Sequence, residues 1–190
     1  MLKAFGHRIQ SWDRFGLGDL FEEKTVYLLE NIKKEIKKNT ILRLHPNWKK
    51  EGLHKYFENF LKNNQSIEIN ESTKYFELIK KSRLVIFNDL STGFLQNLSL
   101  NCPSVCYLPV GLIDLHDENK KDYIDLIKNK LIFLDIKELI THVESVWENI
   151  DGWWNNQNLK TIREEFCYKY SVSPPKDAVK KFSKLLIKNA

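Results

Sequence analysis

Two short segments of this sequence carry residue types that could hold an anion. Asn88-Asp89-Leu90-Ser91-Thr92-Gly93 follows an apolar block, Leu84-Val85-Ile86-Phe87, and precedes a helical pattern. A helix N-terminus presents unpaired N–H groups and about half a positive charge. Gly93 would let a ligand oxygen approach the backbone closely. The hydroxyls of Ser91 and Thr92 can donate to the same oxygens. Together these residues would make a seat for a phosphate. The same turn also suits an ordinary N-cap, in which Ser91 or Thr92 serves only its own helix.

The second segment is Arg43-Leu44-His45-Pro46. His45 is stiffened by Pro46 and is placed to face the crevice at a strand end. Its imidazole could bond a phosphate, act as acid to a leaving phosphate near neutral pH, or be a loop histidine satisfied by backbone. Arg43 alternates away from Leu44, so it points with His45 or pairs with an acid. The two segments reinforce each other, because in an open parallel sheet ligands bind at the carboxyl ends of the strands.

Other fingerprints are missing. Neither segment is a glycine-rich Walker loop with its lysine, and G-x-G-x-x-G does not occur. Gly16-Leu17-Gly18, just before a helix that Asp19 could cap, is a weaker glycine pair and adds Gly16 and Gly18 as candidate ligand contacts. A hydrolase built from Ser91, His45 and Asp89 lacks the G-x-S-x-G elbow, and its acid is adjacent rather than remote. His142 is expected on a helix surface, and His116-Asp117 in a loop can be read either way. Trp147, Trp153 and Trp154 read as packing for C-terminal helices rather than as a sugar platform.

These residues need elements to position them. The pattern predicts a helix from Asp19 to about Lys38-Asn39, using Leu20, Val26, Leu29, Ile32 and Ile36 as its apolar face. A strand over 40–44 must turn at His45-Pro46, since proline cannot continue a central strand. A helix over 48–63 leads to a strand over 67–69 and a helix capped by Ser72, with Tyr75, Phe76, Leu78 and Ile79 on its apolar side. The strand over 83–88 has the β-branched and aromatic content of a buried parallel strand. A helix over 94–101 stops at Pro103, and a strand follows over 104–108. Then come a helix over 120–130, a strand over 131–134 and a helix over 136–150 broken at Asp151-Gly152. Helices over 153–170 and 178–188 complete the chain.

Short apolar strands alternating with helices predict an α/β fold: a Rossmann-like open parallel sheet with helices on both faces, followed by C-terminal helices. The expected organisation is one Rossmann-like domain over 1–190, with 136–190 as a helical extension. Composition agrees with an ordinary globular domain: 190 residues, 42% hydrophobic, 29% charged, and seven Gly with five Pro, too few for a long low-complexity tract. The net charge of +5 lies largely on helical lysines and lacks the basic, aromatic-interleaved stripe of a nucleic-acid binder. Cys102, Cys106 and Cys167 form no C-x-x-C pair and read as small buried hydrophobes in a reducing cytosol. A metal site would need more ligands at closer spacing. With no signal peptide pattern and no apolar run near the ~18 residues of a spanning helix, a cytoplasmic protein is expected. Any membrane contact would be peripheral, at the inner face.

The stretch Ser82-Arg83-Leu84-Val85-Ile86-Phe87-Asn88, then Ser91-Thr92-Gly93-Phe94-Leu95, then Leu98-Ser99-Leu100-Asn101-Cys102-Pro103-Ser104 resembles sugar transferases from bacterial surface-polysaccharide gene clusters. Arg43-Leu44-His45-Pro46, Ser11-Trp12-Asp13-Arg14-Phe15-Gly16, Val146-Trp147-Glu148, Asp151-Gly152-Trp153-Trp154-Asn155 and Arg163-Glu164-Glu165-Phe166-Cys167 are similar to segments of that group. More distantly, a His-Pro motif with a Ser/Thr motif resembles inverting GT-B enzymes: bacterial sialyltransferases, Kdo transferases and glycerophosphotransferases using CDP-glycerol. The resemblance implies the donor-binding half of a GT-B glycosyltransferase, with a nucleotide-activated sugar as substrate and no further cofactor. It implies His45 as the catalytic group and Ser91, Thr92, Gly93 and Arg43 as donor-phosphate contacts. Gln96 stands where that family more usually carries an acid and joins the candidate donor contacts. GT-B enzymes have two Rossmann-like halves, and this chain resembles the second. An acceptor-domain partner chain is therefore one expectation; a non-catalytic remnant or a subunit of a split transferase is the alternative.

Overall fold

The computed structural model describes residues 18–43, 55–65, 67–70, 75–88, 90–109, 111–112 and 115–171. Among the described residues, five short strands, all parallel, form two open sheets. β1 (Ile41–Arg43) pairs with β2 (Glu68–Asn70), and β3 (Val85–Phe87), β4 (Ser104–Tyr107) and β5 (Ile132–Phe133) follow one another in the second sheet. The registers align Leu42 with Ile69, Ile86 with Val105, and Cys106 with Ile132. Parallel neighbours need a crossover, and a helix supplies each one: α3 (Lys55–Asn63), α5 (Thr92–Ser99) and α6 (Asp117–Lys128).

The second sheet is covered on both faces. Side chains alternate along a strand, so Cys106 and Ile132 enter one core while Val105, Tyr107 and Phe133 enter another. The first core takes Phe94 and Leu98 of α5, Tyr123 and Leu126 of α6, and Leu159 and Phe166 of α9 (Gln157–Tyr170). The second takes Leu28 of α1 (Gly18–Asn31), Ile36 of α2 (Lys34–Lys38), and Leu139 and Val143 of α7 (Ile136–Val146). A third core joins Leu29 of α1 to Leu42, Phe60 and Ile67 over the two-stranded sheet. α1 thus packs on both sheets. The chain is an α/β protein of the Rossmann-like kind, as its alternating pattern predicts.

Several local expectations change. The single helix expected from Asp19 to Lys38 is two, α1 and α2, with Ile32 and Lys33 between them; the Lys33 N–H donates to Glu144 of α7 at 2.8 Å. β3 is half-buried, whereas β4 and β5 are buried along their whole length. Asp151-Gly152 does not break a helix. It lies inside α8 (Ile150–Trp154), which begins after a 3-10 turn, Trp147–Asn149. Asn149 caps α8 by accepting from the Gly152 N–H at 3.0 Å, and a Cβ at Gly152 would lie 2.3 Å from the Asn149 side chain. Glycine there admits a cap. α4 (Tyr75–Lys81) follows β2 as expected. His45, Pro46, Gly16, Asp89, the expected Ser72 cap and the expected helix over 178–188 lie outside the described residues. Among the described residues, no helix is long and apolar enough to cross a membrane.

Candidate anion-binding site

Ser91 stands at the N-cap of α5 in an extended conformation, yet its side chain makes no capping hydrogen bond. The Ser91 carbonyl accepts from the Phe94 and Leu95 N–H groups at 3.1 and 3.4 Å. The N–H groups of Thr92 and Gly93, ahead of them, lie in the stretch where a helix offers no internal acceptor. Among the described residues, neither the Ser91 nor the Thr92 hydroxyl bonds to a protein group. Ser91 is half-buried and Thr92 exposed. Gln96 is one turn on from Thr92, on the same helix face, and exposed. This end of α5 therefore presents two hydroxyls, two amides and an amide side chain beside the carboxyl end of β3.

Gly93 has a role the sequence does not suggest. A Cβ there would sit 3.1 Å from Phe87 Cε1, 3.2 Å from the Tyr75 hydroxyl and 3.4 Å from Ser91 Oγ. Glycine lets Phe87 and Tyr75 pack tightly against the first turn of α5. The Tyr75 hydroxyl donates to Asn97 Oδ1 at 2.9 Å, with the Gly93 carbonyl a second acceptor at 3.3 Å. Asn97, fully buried, donates in turn to Ser104 Oγ at 3.2 Å, and Ser104 donates to the Cys102 carbonyl at 3.0 Å. Burial pushes the Tyr75 phenol up to about 12, although nearby Arg43 pulls it down.

Arg43 closes β1 and places its guanidinium 5.1 Å from the centre of the Tyr75 ring. Arg43 and Gly93 thus meet through Tyr75, across the carboxyl ends of the two sheets. Asn88, just past β3, donates to Thr25 of α1 at 3.0 Å. Gly18 is the first residue of α1, about two turns before Thr25. Tyr75 and Asn97 are absent from the sequence expectations as site residues, because both look like interior positions of amphipathic helices. The available signal was a tyrosine opening a helix after a parallel strand, where its hydroxyl must find a partner.

His142 differs from its expected place. It is half-buried between Phe133 and Trp153, each ring 5.1 Å away, and burial pushes its imidazole down to about 4. The tryptophans pack as expected: Trp154 is 2% exposed. Cys106 is buried, but Cys102 and Cys167 are only partly so, and none of the three is in a disulfide. Among the described residues, no cluster of three His, Cys, Asp or Glu side chains could hold a metal ion.

The Rossmann-like fold thus places a polar helix N-terminus at a strand's carboxyl end, the position where open parallel sheets bind ligands. The family model for the LIC12162 family transferase matches residues 1–186, and the chain belongs to that family. It is also 28% identical over 153 residues to a UDP-N-acetylglucosamine 2-epimerase of Methanococcus maripaludis, an alignment covering 79% of this chain. The aligned part spans 38% of that relative's length. No solved structure matches the chain.

Proposed function

We propose that this chain binds the phosphate of a nucleotide-activated sugar at the N-terminus of α5, as the donor-binding half of a GT-B-type glycosyltransferase in surface polysaccharide synthesis. One observation carries the reading: Ser91 occupies the cap position without capping, so its hydroxyl and the amides beside it remain available to an anion. Membership of a transferase family supports group-transfer chemistry. The name of the Methanococcus maripaludis relative makes UDP a natural first nucleotide to try.

In such a transfer an acceptor oxygen attacks the anomeric carbon while the bond from that carbon to the phosphate oxygen breaks. The nucleotide leaves with the electron pair, and its phosphate gains negative charge. Donors held where that charge develops lower the barrier without rearranging. Ser91, Thr92 and the amides of Thr92 and Gly93 fill that role in this proposal. Arg43 adds charge, and Gln96, Gly16 and Gly18 are secondary donor contacts. His45, two residues past β1, is assigned to the leaving phosphate. The acceptor's proton passes to a base on an acceptor-binding half. We place the protein in the cytoplasm, with any membrane contact peripheral at the inner face.

A second reading has an observation in its favour. Because the match spans 38% of the relative's length, the chain could act as the binding subunit of a split enzyme or persist as a non-catalytic remnant. Turnover of a nucleotide sugar by this chain alone rules that reading out. For the main proposal, isothermal titration with CMP, CDP, UDP and GDP is the test. Saturable binding of at least one nucleotide is expected, and binding of none by the folded protein overturns it.

A further inference from the structure

We infer that Tyr75 is a positioning residue for the α5 anion seat, holding Arg43 and the first turn of α5 in one arrangement around a bound phosphate. This rests on the donor-binding reading and extends it to a residue with no place in the motifs.

Three contacts define the role. The hydroxyl reaches Asn97 Oδ1 and the Gly93 carbonyl, so it grips α5 at its first turn and one turn further on. The ring lies under the Arg43 guanidinium at a separation where a cation is attracted to an aromatic face. The absence of a side chain at Gly93 makes room for the hydroxyl. Packing alone would be served by phenylalanine. The hydroxyl adds a link between the end of β2, which α4 follows, and the end of β3, which α5 follows.

The link is held from behind. Asn97 is fixed by Ser104 at the start of β4, and Ser104 by the Cys102 carbonyl, so the chain of bonds runs from the sheet to the site. With its acidity suppressed by burial, the phenol remains a donor throughout the neutral range. Tyr75 itself is assigned no contact with the phosphate. It acts through the groups that make one, and losing it should let Arg43 and the Gly93 amide move independently.

The test is a mutant cycle read by isothermal titration, using whichever of CMP, CDP, UDP or GDP the parent binds most tightly. Tyr75→Phe keeps the ring under Arg43 and loses the hydroxyl's contacts with Asn97 and the Gly93 carbonyl, so affinity should fall about fivefold. Tyr75→Leu loses both contacts and should fall further, by about tenfold or more. Arg43→Gln combined with Tyr75→Leu should weaken binding by clearly less than the product of the two single effects, because each change breaks the same arrangement. A merely structural tyrosine would lower the unfolding midpoint and leave that product intact. Unchanged affinity in folded Tyr75→Phe and Tyr75→Leu, or strict additivity with Arg43→Gln, overturns the inference and leaves the donor reading standing. A parent that binds none of the four nucleotides overturns both. If Tyr75→Leu fails to fold, Tyr75→Phe and its combination with Arg43→Gln decide.

Discussion

At its C-terminal end α5 runs into Asn101, which adopts a left-handed backbone with φ 56°. There the Trp154 indole N–H donates to the Asn101 carbonyl and side-chain oxygens at 3.1 and 2.9 Å. Arg163, 3% exposed, donates to the same side-chain oxygen at 3.0 Å and to the Trp154 carbonyl, and its guanidinium lies 3.6 Å from the Trp154 ring centre. At the N-terminal end, eight residues of helix away, the Ser91 and Thr92 hydroxyls have no such partners among the described residues. One end has its polar groups bonded to the protein itself. The other leaves donors facing outward. Buried polar groups without partners are costly, so pairing at Asn101 is what stability requires. The uncapped Ser91 is half-exposed and can be served by water or by a ligand.

That contrast gives different expectations for the two ends. Trp154→Ala removes a buried aromatic and the donor to Asn101, and should cost about 3–5 kcal/mol in a urea unfolding experiment. Arg163→Met keeps much of the side-chain volume but leaves the Trp154 carbonyl and Asn101 Oδ1 without that donor. Burial already pulls the Arg163 guanidinium down to about 10, so its charge is not well solvated even in the parent. The loss should be about 2 kcal/mol on the same assay. If either variant is as stable as the parent, the claim that this end is structural fails.

At the other end the ordering reverses. The double variant Ser91→Ala with Thr92→Ala should weaken nucleotide binding by about tenfold, equal to about 1.4 kcal/mol. Its stability should shift by less than about 0.5 kcal/mol, since no side-chain cap is lost. A drop of about 1 kcal/mol in stability, with affinity unchanged, would identify Ser91 as a simple cap after all.

His142 is an intermediate case: its Nε2 is buried without a hydrogen-bond partner. The folded protein resists protonating it, with the imidazole at about 4 against an ordinary 6.5. The unfolded chain therefore binds the proton more readily between those values. Its contribution to stability is complete above about pH 6.5 and is lost as pH falls toward 4. Lys130, a cation close enough to lower it further, acts in the same direction as burial. His142→Phe should flatten this part of the stability profile, and an unchanged slope between pH 6.5 and 4 would refute the assignment.

Much of this arrangement is legible in the sequence, and unevenly. Apolar blocks such as Leu84-Val85-Ile86-Phe87 announce strands because parallel strands inside a covered sheet need little polarity. Ser91-Thr92-Gly93 announces a helix start because few residues suit that turn. Long-range partners are not written locally. At the α1–α2 break the Lys33 N–H donates to Glu144, 111 positions away, and nothing near Lys33 signals that partner. Asp151-Gly152 looks like a terminator, since glycine usually ends helices, yet it lies inside a new helix that Asn149 caps. Tyr75 and Asn97 follow helical periodicity into the interior, so their polar ends are hidden by the pattern that places them. In the sequence Gly93 suggests a ligand's approach, and its packing against Tyr75 and Phe87 appears only in three dimensions.

The most direct test of the α5 seat is to follow the backbone amides of Thr92 and Gly93 in the 15N-labelled parent protein while UDP is added. The account predicts that these two resonances shift together, saturate with UDP concentration and move more than the amides near Asn101. Binding of UDP that leaves both unmoved, or no binding of UDP or of any of CMP, CDP and GDP, would contradict it.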